Sequence, residues 1–254
     1  MMKRFLLASS ALLAAAGLSY GEEQRTLLTL ENKFPELHQI EAGVNFVDRQ
    51  FDKDSYSLVT VGPTVRYGLL PDLAVYGEVP LAFSSRDGGS DGAGLGDIKA
   101  GLQLLAYKDI FGYPWIVPHV DASFNTGDGD KGTGYGDNVF TFGISGGAKM
   151  YDQISFILDA SYAVNGGFES GNSTSSDSTI FAGSVVYDLS ERLAALAEGK
   201  IVQDNNEQNV HQPKCGGGGL VYKYSERLTI GAYVYGWVQA ENQTDVTVKG
   251  IYKF

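Results

Sequence analysis

The 254-residue sequence has a single cysteine, Cys215. No internal disulfide can form, and no Cys-x-x-Cys pair or Cys/His cluster suggests zinc or redox chemistry. Positive charge is scarce. Nineteen Lys and Arg stand against 30 Asp and Glu, a net charge of −11. Nucleic acid requires a basic surface, so nucleic-acid binding is excluded. Long apolar runs are missing beyond Leu18. Nothing after it approaches the roughly 20 residues of a helical membrane span.

What is present begins with "MMKRFLLASSALLAAAGLSYG", residues 1–21. Lys3 and Arg4 precede an apolar run over 5–18, and Ser19 and Gly21 are small. This is the pattern of a secretory signal peptide removed before Glu22. No cysteine sits at the cut, which excludes a lipoprotein. Residues 22–36 read as a periplasmic lead-in, because termini are commonly loose. A segment that plugs the lumen is the other reading.

From Leu37 onward the period is two. In "ISFILDASYAV" (154–164), Ile154, Phe156, Leu158, Ala160, Tyr162 and Val164 oppose Ser155, Asp159 and Ser161. Such alternation belongs to strands, not helices. Similar runs predict about twelve strands: 37–48, 55–69, 72–84, 95–107, 114–126, 137–149, 154–166, 178–188, 193–204, 217–225, 228–240 and 244–254. The phase is ambiguous in the eighth and eleventh, where Tyr233, Tyr235 and Trp237 could face either way.

Connections alternate in length. Short ones are "LLPD" at 69–72, "YDQ" at 151–153, "LSER" at 189–192 and "SER" at 225–227. Long ones, rich in Gly, Ser, Asp and Asn, cover 84–95, 126–136, 166–178 and 204–216. That asymmetry marks an up-and-down meander. "YDLSERL" (187–193) and "YKYSERL" (222–228) repeat one hairpin, with "YGLLPDL" (67–73) a looser copy. Each sets a tyrosine at a strand end, where its ring suits a water–lipid interface.

A soluble sandwich also alternates. Here the apolar side continues for about ten residues, the length of a lipid-crossing strand. The chain ends "VKGIYKF", with Val246, Val248, Gly250, Tyr252 and Phe254 alternating outward. Tyr252 and Phe254 read as a signal to a barrel-assembly machinery. The expected fold is an all-β, transmembrane, up-and-down antiparallel barrel over 37–254, with short periplasmic turns and long extracellular loops. Closure would satisfy every strand edge, as hydrocarbon demands. The localisation that follows is the outer membrane of a Gram-negative envelope, with outer-membrane lipid as a partner.

"GLGD" (Gly94, Leu95, Gly96, Asp97) opens the fourth strand. "NTGDGDKGTGYGD" (125–137) closes the fifth and holds Thr126, Gly127, Asp128, Gly132, Thr133, Gly134 and Asp137. These residues resemble the outer-membrane barrel family named for a phenol-degradation meta-pathway, many of whose members are called transporters. The family pattern is GLGD, then PTGD, a glycine-rich loop and GTG-x-x-D. Asn125 stands here in place of its Pro. The resemblance covers roughly residues 75 to 250, by alternation, and implies a barrel more firmly than a substrate.

With the apolar faces toward lipid, the inward acids are Glu41, Glu78, Asp97, Asp121, Asp159 and Glu198, and the inward bases Arg66, Lys99, Lys149, Lys200, Lys223 and Lys249. His119 joins them. Equal numbers favour paired charges over an ion-selective ring of one sign. The acid excess then falls on outer loops, at Asp52, Asp87, Asp128, Asp130, Asp137, Glu169, Glu207 and Asp245 among others. An acidic mouth would concentrate cations.

Chemical motifs fail on inspection. An EF-hand begun at Asp128 would need glycine at Thr133 and glutamate at Val139. Lys131 is followed by Gly132, not by Ser or Thr, so no phosphate loop forms. His119, Asp121 and Ser123 share one strand face, but a spacing of roughly 7 Å between alternate residues exceeds the reach of a relay. No catalytic residue, metal or cofactor is expected. The preferred function is a passive, porin-like channel for small solutes, aromatic or apolar by the resemblance alone. The alternatives are a structural or surface-binding barrel with a sealed lumen and, behind it, a lipid-modifying barrel enzyme. Substrate and oligomeric state are not legible.

Overall fold

The computed structural model describes residues 24–51, 56–86, 91–109, 114–134, 136–165, 177–204, 213–238 and 243–254. The signal peptide expected over 1–21 lies outside the described residues, as do Asp52, Asp87, Glu169 and Glu207 of the expected acidic loops.

The strands in chain order are β1 (Ile40–Phe51), β2 (Tyr56–Leu70), β3 (Leu73–Glu78), β4 (Leu81–Arg86), β5 (Gly92–Leu95), β6 (Ile98–Leu104), β7 (Tyr107–Lys108), β8 (Trp115–Phe124), β9 (Val139–Met150), β10 (Ile154–Asn165), β11 (Ser178–Asp188), β12 (Leu193–Asp204), β13 (Lys214–Lys223), β14 (Leu228–Val238) and β15 (Gln243–Lys253). Each pairs antiparallel with its neighbours, and β1 pairs with β15 through Ala42↔Tyr252 and Val44↔Gly250. The sheet is therefore closed. The wall has twelve staves, because β3 and β4 share one stave, as do β5, β6 and β7. The breaks fall at Val79–Pro80 and at Gly96–Asp97, and they meet: Gly96 N–H donates to Pro80 O at 2.7 Å. Proline has no N–H for the ladder, so a gap there costs little.

Alternation fixes the two faces. On β10, Phe156, Leu158 and Tyr162 are exposed, while Ser155, Ile157, Asp159 and Ser161 are buried. Leu158 is 72% exposed and its neighbour Ile157 only 1%. The outer face carries the exposed apolar residues that a lipid-facing wall requires, among them Val65, Phe83, Phe142, Phe181, Leu220 and Val234. On β14, Tyr233 and Tyr235 are buried inward while Ala232 and Val234 point out, which settles the phase the sequence left ambiguous.

Five short connections gather at one end of the barrel, and the long ones at the other. The repeated Ser-Glu-Arg turns share one geometry. Ser190 Oγ accepts from the N–H groups of Arg192 (3.3 Å) and Leu193 (3.1 Å). Ser225 Oγ accepts from those of Arg227 (3.3 Å) and Leu228 (3.1 Å). In the β9–β10 hairpin, Tyr151 and Asp152 both take positive φ, 54° and 56°. Such a mirror-image turn matches the right-handed twist of the flanking strands.

Candidate functional site: a filled half-barrel

The inner face is not polar throughout. Near the short-turn end, Trp115, Val117, Ile157, Val186, Leu196, Val221, Tyr233 and Tyr235 form a buried apolar cluster. Leu27, Leu28, Leu30 and Phe34 pack against it. This corrects the expectation of an inner face made of paired charges. In place of a loose lead-in below the barrel, residues 24–36 lie among inward side chains.

The segment is pinned along its length. At its tip, Glu198 accepts from Leu27 N–H (3.1 Å) and Leu28 N–H (3.2 Å). Thr29 and Ser184 hydroxyls bond at 2.7 Å. Leu30 N–H donates to Ser145 Oγ at 3.0 Å. One arm descends to Arg25, whose guanidinium pairs with Glu31 (2.7 Å) and with Asp188 at the short-turn end of β11. Tyr233 donates its hydroxyl proton to Arg25 O at 2.7 Å, and Lys249 Nζ donates to Gln24 O at 3.2 Å. The other arm passes Arg66, which donates to Lys33 O (2.5 Å), Gln103 (3.1 Å) and Glu41 (3.3 Å) and lies 5.4 Å over the Phe34 ring. Burial opposes the charge of Glu31, but the cations of Lys33 and Arg25 and the Arg25 hydrogen bonds outweigh it and hold the carboxyl below its ordinary range.

The remaining inward charges are divided. Asp159, buried on β10, accepts from Ser145 (2.5 Å), from Ser161 and from His119 Nε2 (2.9 Å). His119 Nδ1 donates to Asp121 at 2.7 Å, and Tyr76 donates to the same carboxylate. The expected separation of His119 and Asp121 is thus corrected. Alternate Cα atoms are far apart, but the two side chains lean together along the strand. Ser123 stays outside this network, and both serines within it donate to Asp159. A ring whose two nitrogens both face carboxylates is the doubly protonated donor, with no lone pair left for a base.

Lys149 lies 3.7 Å from Asp188, and Lys223 pairs with Glu226 at 2.7 Å near the rim. Lys200 stands opposite Cys215. Glu78 receives a hydrogen bond from Asn45 at 3.4 Å. Lys99 is exposed on the face it shares with buried Gln103, opposite Glu78. Asp245, expected on a loop, sits buried on β15, paired with Arg49 at 3.2 Å and accepting from Trp237 at 3.0 Å. Tyr252 keeps outward parity but is covered, its ring centroid 5.4 Å from that of exposed Phe254.

The short glycine-rich motifs meet at the long-loop end. Asp97 accepts from Gly127 N–H at 3.0 Å. Thr126 Oγ1 donates to Gly96 O (2.8 Å) and accepts from Ile98 N–H (2.9 Å). Thr133 is buried and accepts from Asp128 N–H at 2.9 Å. Ser84 donates to Lys131 O (2.5 Å) and Tyr56 to Gly132 O (3.0 Å). Ala82 and Ser84 face inward, so the loop folds back over the inner wall. Gly92 must be glycine: a Cβ there would stand 2.2 Å from Lys131 O. Gly132 takes a left-handed φ of 65°. Gly94 and Gly134 line the same fold, Leu95 points out, and Asp137 follows it. In this exposed loop, Lys131 pairs with Asp128 at 2.8 Å and holds that carboxyl below its ordinary range. No cluster of three or more possible metal-ligating residues occurs among the described residues.

Residues 38–246 match the model of a family described as "Putative MetA-pathway of phenol degradation". No curated protein matches the chain. Among solved structures, an outer membrane channel from Pseudomonas putida F1 is similar at TM-score 0.68 and 10% identity, over 92% of this chain and 100% of that one. The KdgM porin in complex with disordered oligogalacturonate gives 0.57 at 12%, over 84% and 99%. The translocator domain of the autotransporter NalP from Neisseria meningitidis gives 0.53 at 12%, over 99% and 94%. At such identities the likeness is one of fold, the closed outer-membrane barrel.

Proposed function

The chain belongs to the phenol-degradation MetA-pathway family of outer-membrane barrels, and from that premise we propose that it is a passive channel for small solutes in the outer membrane. The observation that carries this reading is the inner face above the segment. There Lys99 is exposed and Asn45, Glu78 and Asp121 are only partly buried, a polar and solvent-accessible wall. The channel and the porin among its structural relatives support the reading through the shared fold.

A second reading rests on the filled half-barrel. Residues 24–36 occupy the lumen near the short-turn end, which favours a sealed, structural barrel. The enzyme reading has the least support, since His119 offers no base and Ser145 is committed to Asp159. Phe254, exposed at the end of β15, is what the chain would offer to an assembly machinery.

The test is conductance in planar bilayers, alongside solute uptake into liposomes, for protein whose folding is confirmed by heat-modifiable gel mobility. Discrete steps or uptake are expected. A folded barrel silent in both assays would overturn the channel reading in favour of the sealed one.

A further inference from the structure

We propose that the seat filled by residues 27–34 is a solute-binding site, with the chain's own segment as its resident competitor. This rests on the channel reading above. The ligand class follows from what the seat offers. Its polar end is Glu198, 5% exposed. That carboxylate accepts from Ser184 (2.7 Å), from Tyr235 and from the two backbone N–H groups of Leu27 and Leu28. Four donors converge on two oxygens, which marks the acceptor-only, ionised form. No ion pair joins Glu198 among the described residues. Two of its donors belong to the wall and two leave with the segment. A buried carboxylate stripped of half its donors strongly attracts a replacement.

The apolar end is equally defined. Leu27, Leu28 and Phe34 rest against a cluster that includes Trp115, Ile157 and Tyr233. A ligand that replaces the segment therefore needs a ring-sized apolar body and a head that donates hydrogen bonds, best a protonated amine and next an alcohol. A carboxylate head would meet Glu198 as a like charge. The segment can give way, because apolar contacts, hydrogen bonds and the Arg25–Asp188 ion pair hold it and it joins no strand of the sheet.

The test uses full-length protein with Trp237→Phe, so that Trp115 fluorescence reports the seat, and with Cys215→Ala. Thr29→Cys and Ser184→Cys are added, since their hydroxyls lie 2.7 Å apart. Oxidation locks the segment and reduction releases it. The probes are benzylamine, benzyl alcohol and benzoate. Reduced protein is expected to bind benzylamine at least tenfold more tightly than benzoate, with benzyl alcohol between. Oxidation should abolish binding of all three. Glu198→Gln should bring benzylamine down to the level of benzyl alcohol. Arg25→Ala, which loosens the competitor without any cross-link, should tighten benzylamine at least fivefold.

Equal binding in locked and released protein would overturn the shared seat, as would unchanged binding in Arg25→Ala. Benzoate equal to benzylamine would overturn the donor-head assignment. Conductance recorded on the same samples separates the two readings. Conduction unaffected by the lock leaves the channel standing and removes the seat from its path. Ligand binding in a barrel silent in both states removes the channel.

Discussion

The N–H of Leu30 donates to Ser145 Oγ at 3.0 Å, and the same hydroxyl donates to Asp159 at 2.5 Å. One serine thus joins the internal segment to the Asp159–His119–Asp121 network of the wall. Ser145→Ala leaves the Leu30 amide without this acceptor and takes a donor from a buried carboxylate. The expected loss is about 1–3 kcal/mol, read as a lower urea midpoint in detergent. An unchanged midpoint would mean that the contact contributes nothing net.

Glu31 gives the segment an acid dependence. Its carboxyl is held below the ordinary value of 4.5. A lowered folded-state value means stabilisation fully present above 4.5 and lost as the pH falls through the lowered value. On the channel reading proposed above, open probability should therefore stay flat from neutral pH to about the ordinary carboxylate range and rise below it. Glu31→Gln should be more open already at neutral pH and lack that rise. A variant that keeps the wild-type profile would place the acid response elsewhere.

Two glycines should differ in their response to the same methyl group. Gly92→Ala drives a Cβ against Lys131 O, whereas nothing lies within 4 Å of a Cβ at Gly216. The first should cost about 1–3 kcal/mol by overpacking and speed tryptic cleavage after Lys131. The second should change neither. Equal cleavage rates in the two variants would contradict an inward-folded loop.

Ile157 and Leu158 are adjacent but face different media. Ile157→Ala opens a cavity in the internal cluster, at about 2–5 kcal/mol. Leu158→Arg sets a cation in the apolar girdle, at about 2–4 kcal/mol near the midplane. Only the second should lose its effect in a detergent without a bilayer core. Comparing unfolding in micelles and liposomes checks this.

Strands were legible wherever one face was uniformly apolar. Residues 154–164 and 193–204 needed nothing more than period two. Tyr233, Tyr235 and Trp237 were not, because an aromatic suits either a lipid interface or an internal packing site. The internal segment was hidden for another reason. Residues 24–36 have no period, so alternation says nothing about them. A signal did exist on the wall: Val117, Ile157, Val186, Leu196 and Val221 are apolar residues at inward phase, each a few residues from a short turn. An apolar patch inside a barrel needs a cover, and Leu27, Leu28, Leu30 and Phe34 were the unassigned candidates. Asp97, Thr126 and Thr133 were visible as a motif, but their mutual bonds depend on loop geometry that no spacing encodes.

Arg25 and Phe34 lie on the two arms of the same bend, with Leu27 to Leu30 at its tip. Topologically, the described part of the segment is a finger in a glove and not a thread through a needle. It can withdraw by the opening it came in by, with every rung of the β1–β15 seam intact. Insertion need not precede closure of the cylinder, and release need not undo it. The release proposed above would thus exchange two arrangements of one finished barrel, governed by local contacts alone.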